Sequence, residues 1–312
     1  MSRLKDNINK GPRRLRSLVS KGYIMVPGVF DGISAIMAER AGFDAAYLSG
    51  SGIAGKYGLP DLSLTTLSEV AEEAARICSI SSIPLIVDAD TGFGETLNVI
   101  RATRLIESSG ASAIQIEDQE APKRCGHLDG KNVISEEDMV KKIKAAVSAR
   151  KNKDFMIIAR TDSYAIEGHK GAVSRARAYA KAGADIIFPE ALPSAAEFKK
   201  FYEDTHLPLL ANMTEFGKSP LLSAQELGKM GYKIIIFPLT AFRASLLSMK
   251  DTYSYILKHG SQKGMLDKLM DRDSFYEAIG YGSYTIEDRE LYGRSAGSGS
   301  RPGRRQTTAC PT

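Results

Sequence analysis

The stretch Ala182-Gly183-Ala184-Asp185-Ile186-Ile187-Phe188 decides the fold of this chain, because its pattern recurs along the sequence. A glycine that ends a helix is followed at once by a short apolar run, which is typical of a chain that turns from a helix into a buried strand. The same pattern surrounds Gly42, Gly110 and Gly231. The sequence therefore predicts helices that alternate with buried strands.

Eight continuous apolar runs are predicted to be strands. Unbroken apolar runs indicate strands buried on both faces, as in a parallel sheet covered by helices, and helical stretches such as 67–77 and 173–181 separate them. Eight such units in about 240 residues match a (β/α)8 TIM-type barrel of the α/β class better than a doubly wound sheet. The predicted strands are residues 23–26, 45–48, 85–87, 113–116, 156–159, 186–188, 209–211 and 234–237.

The composition, 43% hydrophobic and 25% charged residues, is that of a globular chain, and we expect one catalytic domain over residues 1–294. Residues 295–312 are rich in Gly, Ser, Pro and Arg and are expected to be a disordered tail. Setting aside three tail arginines leaves +2 of the formal charge of +5, so the basic balance predicts no nucleic-acid partner.

No apolar run is long enough to cross a membrane and no secretory signal is evident, which predicts a cytoplasmic protein without a membrane partner. The Arg-rich opening raises the alternative of a targeting segment. Pro12 at a first helical turn, with Leu15, Leu18 and Val19 on one face, instead favours a short helix that caps the barrel. Three cysteines, an odd number without framework spacing, predict free thiols.

Polar residues follow the apolar runs in turn, at the position where barrel enzymes carry their reactive groups. A single polar strand end would carry no information, whereas a series around one barrel mouth predicts an active site. The series comprises Asp31, Ser49, Gly50, Ser51, Asp88, Asp90, Glu117, Asp118, Arg160, Asp162, Glu190, Asn212, Thr214, Glu215 and Arg243.

The loop after the fourth predicted strand contains Lys123-Arg124-Cys125-Gly126-His127, which places a thiol and an imidazole two positions apart beside two cations. With 3 cysteines and 4 histidines in 312 residues, this clustering favours a functional loop over a surface loop that happens to hold a cysteine. Because cationic neighbours tune a thiol for proton chemistry, the motif predicts that Cys125 takes part in catalysis.

Asp88 and Asp90 occupy alternate positions at a strand end, so both carboxylates are expected to point the same way. Together with Glu117 they form an all-oxygen group, which suits Mg²⁺, or alternatively Mn²⁺, better than zinc. A solvated acidic turn is the alternative for Asp-x-Asp alone. Cations in the same mouth, namely Lys123, Arg160 and Arg243, predict an anionic, carboxylate-bearing substrate.

Residues 50–55 match the G-x-G-x-x-G pattern of dinucleotide sites. That fingerprint requires a helix to begin within it, and we expect Gly55, Gly58 and Pro60 to prevent one. The segment is therefore predicted to be a loop whose backbone N–H groups approach an anion.

Ten stretches together resemble the isocitrate lyase and phosphoenolpyruvate mutase superfamily, from about Leu15 to Tyr292. Within it the resemblance is strongest to the 2-methylisocitrate lyases, because KRCGH is typical of the lyases and the chain lacks the insertions of the longer isocitrate lyases. The stretches are PGVFDGISA, YLSGSG, LPDLSLTT, VDADTGFG, IQIEDQ, KRCGH, IARTD, FPEA, LANMTEFG and FPLTAFRA.

The resemblance implies cleavage of a small tricarboxylate, 2-methylisocitrate, to pyruvate and succinate in the methylcitrate cycle of propionate catabolism. It also implies a dimer or a tetramer in which neighbouring barrels exchange a helix within residues 252–292, and we expect the homotetramer, a dimer of dimers. It assigns Asp88 and Asp90 to Mg²⁺, with Glu117 acting through water. The substrate-binding residues that it implies are Ser49, Gly50, Ser51, Cys125, Gly126, Arg160, Glu190, Asn212, Thr214, Arg243 and Arg272, with Phe188 and Ile236 as candidates for a methyl pocket.

Such a cleavage needs a base for the substrate hydroxyl, and the sequence leaves Asp61, Tyr47 and a metal-linked carboxylate open. Arg160 and His127 are expected to stabilise developing charge, and Cys125 is expected to donate a proton to the carbanion. The alternatives are isocitrate cleavage, oxaloacetate decarboxylation or phosphonate chemistry, and, from a different class, a barrel that serves as a non-catalytic scaffold. The intact catalytic motifs favour an enzyme.

Overall fold

The computed structural model describes residues 11–127 and 130–292. The predicted tail at 295–312 and its Cys310 lie outside these residues. The chain divides into two compact units, Met1–Gln262 and Lys263–Thr312. None of the described helices is long and apolar enough to cross a membrane.

The first unit contains a closed barrel of eight parallel strands in sequential order, with β1 paired to both β2 and β8. The predicted (β/α)8 fold is confirmed, and each predicted run forms a strand with small shifts of its ends. The strands are β1 (Ile24–Val29), β2 (Ala46–Leu48), β3 (Leu85–Asp88), β4 (Ala113–Glu117), β5 (Met156–Thr161), β6 (Ile186–Pro189), β7 (Leu209–Asn212) and β8 (Tyr232–Phe237).

Six of the described helices of the first unit begin after a residue whose side chain accepts a hydrogen bond from a free backbone N–H group. Thr66 with Glu69 and Ser223 with Glu226 form capping boxes before α4 and α9. The helices are α1 (Gly11–Lys21), α2 (Gly32–Arg40), α3 (Gly50–Lys56), α4 (Leu67–Ile80), α5 (Thr96–Ser108), α6 (Glu136–Ala149), α7 (Tyr164–Lys181), α8 (Ala195–Thr205), α9 (Ala224–Lys229) and α10 (Thr240–His259).

The second unit contains a 3₁₀ segment, Lys263–Lys268, followed by α11 (Arg272–Ala278) and α12 (Tyr281–Tyr292). Tyr276 and Tyr281 stack with ring centroids 4.8 Å apart. Several large apolar side chains of this unit are exposed in the single chain, among them Met270, Tyr284 and Leu291.

The core consists of two layers, one inside the barrel and one between the sheet and its helices. Along β5, Ile158 belongs to the inner layer, whereas Ile157 and Ala159 belong to the outer one. This alternation explains why the strands read as unbroken apolar runs. Leu15 and Val19 of α1 join the inner layer, which confirms the predicted N-terminal helix.

The prediction of a loop at residues 50–55 was wrong, because Gly50 begins helix α3. Ser49 caps this helix by accepting a hydrogen bond from the Gly52 N–H. The helix ends at Lys56, so Gly58 and Pro60 lie beyond it and do not interrupt it. The first backbone N–H of α3 does approach an anion, since Gly50 donates to the Asp88 carboxylate at 3.2 Å.

Gly28 in β1 allows a close approach of two backbones, and we expect Gly28→Ala to destabilise the fold. A Cβ at this position would overlap the carbonyl group of Pro238, which is backbone and has little room to move. Overpacking of this kind costs about 1–3 kcal/mol or more. Gly22→Ala is the matched control, since a Cβ there meets nothing within 4 Å. Urea unfolding of both variants tests this, and equal stabilities would contradict it.

Candidate active site

A cavity of about 240 Å³ lies at the carboxyl ends of the strands and is lined by residues of the first unit. Most of the predicted site residues line it, because parallel strands bring their C-terminal ends to one rim. The predicted residues among its walls are Tyr47, Ser49, Ser51, Asp61, Asp88, Lys123, Cys125, Gly126, His127, Arg160, Phe188, Glu190, Asn212, Thr214, Glu215, Ile236 and Arg243.

Seven predicted residues are not part of these walls, namely Gly50, Asp90, Glu117 and Arg272, with Asp31, Asp118 and Asp162 of the strand-end series. Asp31 caps helix α2, and Asp118 and Asp162 are buried. Gly50 bonds to Asp88 from the start of α3, and Asp90 and Glu117 are buried next to cations that do line the cavity. Arg272 is the first residue of α11 in the second unit. Its substrate contact therefore stays a prediction.

Arg160 at the end of β5 is surrounded by three buried carboxylates. It donates from Nε and Nη2 to Asp162 at 2.8 and 3.0 Å, and it lies 3.3 Å from Glu117 and 3.5 Å from Glu190. Burial opposes its charge, but these carboxylates outweigh it and raise the pKa of Arg160. The guanidinium also stacks over the Phe188 ring at 5.1 Å. Arg160 is thus a fixed cation in the cavity wall.

The same competition, between burial and neighbouring charges, sets the pKa values of two carboxyl groups beside Arg160. Burial works against ionisation of Asp162, yet Arg160 and Lys131 lower the pKa of Asp162 to about 2. The pKa of Glu190 is also lowered, since Arg160 and His127 overcome its burial. Both groups are therefore anions at neutral pH.

Lys123, which also lines the cavity, joins two acids. Its Nζ lies 2.5 Å from Asp61 and 3.0 Å from Asp90. Burial would lower the pKa of Lys123, but Asp90, Glu117 and Asp61 together raise it well above its ordinary value. The lysine of the KRCGH motif is therefore a buried ammonium that neutralises carboxylates.

Asp88, Asp90 and Glu117 offer carboxylate oxygens, the ligands that a hard divalent cation prefers. The Asp88 and Asp90 carboxylates converge on Gly50, where a Cβ would lie 3.2 and 3.0 Å from their oxygens. Burial raises the pKa of Asp90 to about 6 and that of Glu117 well above its ordinary value, so a nearby positive charge would relieve both. Glu117 Oε1 is buried without a hydrogen-bond partner in the described part of the chain.

Within residues 11–127 and 130–292, no group of three or more His, Cys, Asp and Glu side chains is arranged so that it could hold a metal ion. Mg²⁺ does not need such a group, because it usually binds one or two carboxylates and keeps several waters or substrate oxygens. The residues present therefore fit Mg²⁺ or Mn²⁺ rather than a metal that protein ligands enclose.

His127 connects the KRCGH loop to the loop that follows β7. Its Nδ1 accepts a hydrogen bond from the Lys218 N–H at 3.0 Å, and its Nε2 lies 3.2 Å from Glu190. Because Nδ1 is an acceptor, the ring proton is on Nε2, which is buried near Glu190 but has no hydrogen-bond partner among the described residues. Cys125 is a free, partly exposed thiol in the cavity wall beside this contact.

The hydrogen bond and the pKa of Tyr47 make it a poor candidate for the base. The hydroxyl donates to Gln115 Oε1 at 2.5 Å, and burial followed by the charge of Asp88 raises the pKa of Tyr47 well above 10. Asp61 reaches the cavity from the segment between α3 and α4.

Three residues of this region were missed by sequence reasoning. Gln115 interrupts the apolar run of β4, and an amide in such a run is a usable signal that it has a polar partner. Phe216 lines the cavity with a left-handed backbone (φ 61°), which nothing in the sequence indicates. Lys131 is buried, whereas a lysine after a glycine in a loop is ordinarily exposed.

Residues 15–257 match the model of the phosphoenolpyruvate phosphomutase family. The chain is 54% identical to a 2-methylisocitrate lyase of Aeropyrum pernix over 278 residues, which are 89% of this chain and 90% of that protein. It is 41% identical to the 2-methylisocitrate lyase of Escherichia coli, with 89% and 95% coverage.

The chain is also similar to solved structures of the same superfamily. The crystal structure of a 2,3-dimethylmalate lyase, a PEP mutase/isocitrate lyase superfamily member, has a TM-score of 0.86 at 38% identity and covers 93% of this chain and 98% of its own. An oxaloacetate acetylhydrolase in complex with 3,3-difluorooxalacetate has a TM-score of 0.87 at 32% identity, with 93% and 100% coverage.

Proposed function

Because this chain belongs to the phosphoenolpyruvate mutase/isocitrate lyase superfamily and is a lyase related to the 2-methylisocitrate lyases, we propose that it cleaves 2-methylisocitrate to pyruvate and succinate. One observation carries the proposal: a single cavity is lined by the Cys125 thiol, the Arg160 cation and several buried carboxylates. This is the set that a carbon–carbon cleavage with proton return requires.

The reaction begins with loss of the substrate hydroxyl proton to a base. Asp61 is the better candidate, since it lines the cavity and is held by Lys123, whereas Tyr47 already donates its own proton to Gln115. The electrons of the O–H bond form the carbonyl group of pyruvate. The electrons of the broken C–C bond pass to the carbon next to a carboxylate of the nascent succinate.

Cys125 then donates its Sγ proton to this carbon and completes succinate. The base then releases the proton that it took, and this proton passes through solvent to the Cys125 thiolate and restores the thiol. Arg160 and the Nε2–H of His127 are the donors available to the carboxylate that carries the developing charge. A divalent cation held by Asp88, Asp90 and Glu117 would supply Lewis-acid polarisation of substrate oxygens.

The substrate carboxylates need donors around the rim, and several wall residues supply them. Ser49 and Ser51 are at the start of α3, Asn212 is the last residue of β7, and Thr214 lies just beyond it. Arg243 on α10 bonds to Glu215 at 2.8 Å in the structure, so it reaches a substrate only by sharing or releasing that contact. We assign these residues to substrate binding.

The purified protein with Mg²⁺ is expected to form pyruvate and succinate from 2-methylisocitrate, and EDTA is expected to abolish this activity until Mg²⁺ is restored in excess. Product identity separates the candidates. Glyoxylate from isocitrate indicates isocitrate lyase activity. Turnover of oxaloacetate or a phosphonate, with none of 2-methylisocitrate, would contradict the proposal.

A second candidate is cleavage of 2,3-dimethylmalate, favoured by the 38% identity to a lyase of that name. Both reactions would release pyruvate, so the second product decides between them: succinate from the tricarboxylate, and propionate from dimethylmalate. The higher identity to the 2-methylisocitrate lyases places this activity second.

Phe188 and Ile236 line the cavity and are our candidates for the wall that accepts the substrate methyl group. We expect Phe188→Trp to reduce the space and to lower kcat/KM for 2-methylisocitrate relative to isocitrate by about 10–200-fold, the range for one methylene in an apolar pocket. The readout is the ratio of kcat/KM for the two substrates. A general loss of folded protein lowers both values equally and leaves this ratio unchanged. An unchanged ratio would remove Phe188 from the methyl pocket.

We propose a homotetramer with an exchanged C-terminal segment, as predicted from the sequence. Helix α10 has no buried residue, and Leu247, Tyr253 and Leu257 are all exposed in the single chain. Large exposed apolar surfaces mark protein–protein interfaces. Light scattering after gel filtration should give four times the chain mass, and a monomer would contradict the proposal.

A further inference from the structure

Lys131 is a buried cation that the reaction as described does not use. Its Nζ donates to the backbone carbonyl of Gly126 and to Asp162 Oδ1, the latter at 3.0 Å. Only 3% of its side chain is exposed. It therefore joins the KRCGH loop to the end of β5.

Charge neutralisation alone does not account for this lysine. Asp162 already receives two hydrogen bonds from Arg160, and its backbone N–H donates to Asp118 at 2.9 Å. A buried ammonium is costly unless it is paired and bonded. Lys131 makes a further contact, the hydrogen bond to the carbonyl of Gly126, which lies between Cys125 and His127 in the motif.

The position of Gly126 leaves little tolerance for movement. A Cβ on Gly126 would overlap Arg160 Nη2 and the Glu190 side chain, so the loop backbone packs directly on these groups. Loss of the Lys131 contact would free the Gly126 carbonyl while Asp162 keeps Arg160 in place. The loop would then shift relative to the cation that it faces.

We infer that Lys131 is a positioning residue, which fixes the Gly126 carbonyl to Asp162 and so holds the Cys125 thiol at the distance that proton donation requires. The inference rests on the proposed function for its kinetic part. Its structural part, the placement of Cys125, is measurable without any substrate.

The test compares Lys131→Met and Lys131→Gln with Lys131→Arg and with Lys141→Met, an exposed lysine on α6 as control. Both neutral variants are expected to lose about 10²-fold in kcat with KM changed by less than about threefold, because a misplaced donor slows the chemical step and not binding. Lys131→Arg keeps a donor and is expected to recover part of kcat. Lys141→Met is expected to behave as wild type.

The second readout is the rate at which iodoacetamide alkylates Cys125, followed by mass spectrometry of its peptide in the unliganded protein. The neutral variants are expected to differ from wild type by about fivefold or more, since a shifted loop changes both access and the cations around the thiol. Lys131→Gln retains a polar side chain and keeps the test usable if Lys131→Met does not fold.

A lower melting temperature with wild-type kcat and wild-type alkylation would overturn the inference and leave Lys131 a purely structural ion pair. If the wild-type protein has no activity on 2-methylisocitrate, the proposed function fails. The alkylation rates then decide the positioning role by themselves.

Discussion

We expect Cys125→Ser to turn over 2-methylisocitrate at least about 10²-fold more slowly than wild type, while substrate binding persists. Serine keeps the size of the side chain, but its hydroxyl is a far weaker acid than a thiol. Cys125 lines the cavity together with Arg160 and Glu190, so its loss removes the proton source and leaves the donors for the carboxylates. Steady-state kcat, together with calorimetric binding of 2-methylisocitrate, separates the two effects.

Cys78 on α4 provides the matched control. Burial raises the pKa of Cys78 to about 12, which makes it unreactive, and it packs against the outer core. Cys78→Ala is expected to leave turnover unchanged. Wild-type turnover in Cys125→Ser would remove the thiol from the mechanism and assign it to the loop alone.

The second large effect is expected at Arg160. Arg160→Lys keeps the charge but loses the planar fork that bonds to Asp162 through two nitrogens while facing Glu117 and Glu190. We expect kcat to fall by about 10²–10³-fold, the range for removing one preorganised donor to a developing anion. Arg160→Met would in addition leave three buried carboxylates without their shared cation. We expect its unfolding free energy to fall by about 3–5 kcal/mol.

Arg150 offers a control for Arg160, because it bonds to Asp185 at 2.7 Å before β6, at the amino-terminal end of the strands. Arg150→Lys is expected to alter stability slightly and to leave kcat unchanged. Urea unfolding and kcat are measured for each variant. Equal kcat losses at Arg150 and Arg160 would show that general destabilisation, and not the cavity, is responsible.

The barrel, and the rim on which the site lies, could be predicted from the sequence alone. Strands such as Met156–Thr161 are buried on both faces, so their apolar runs are continuous and visible, and each glycine-capped helix end marks where the next strand begins. Chain order also fixed which residues leave the strands at the same end. Most candidate site residues therefore met in one cavity.

Tertiary structure alone decided which groups become partners. The pairing of Lys123 with Asp61 and Asp90 spans distant positions in the chain, and the burial of Lys131 depends on where Asp162 lies in space. Helix α3 was missed because local glycines argued against it, whereas packing and the Ser49 cap stabilise it. Periodicity and capping are local properties of the chain, but charge pairing and burial depend on distances that only the folded barrel sets.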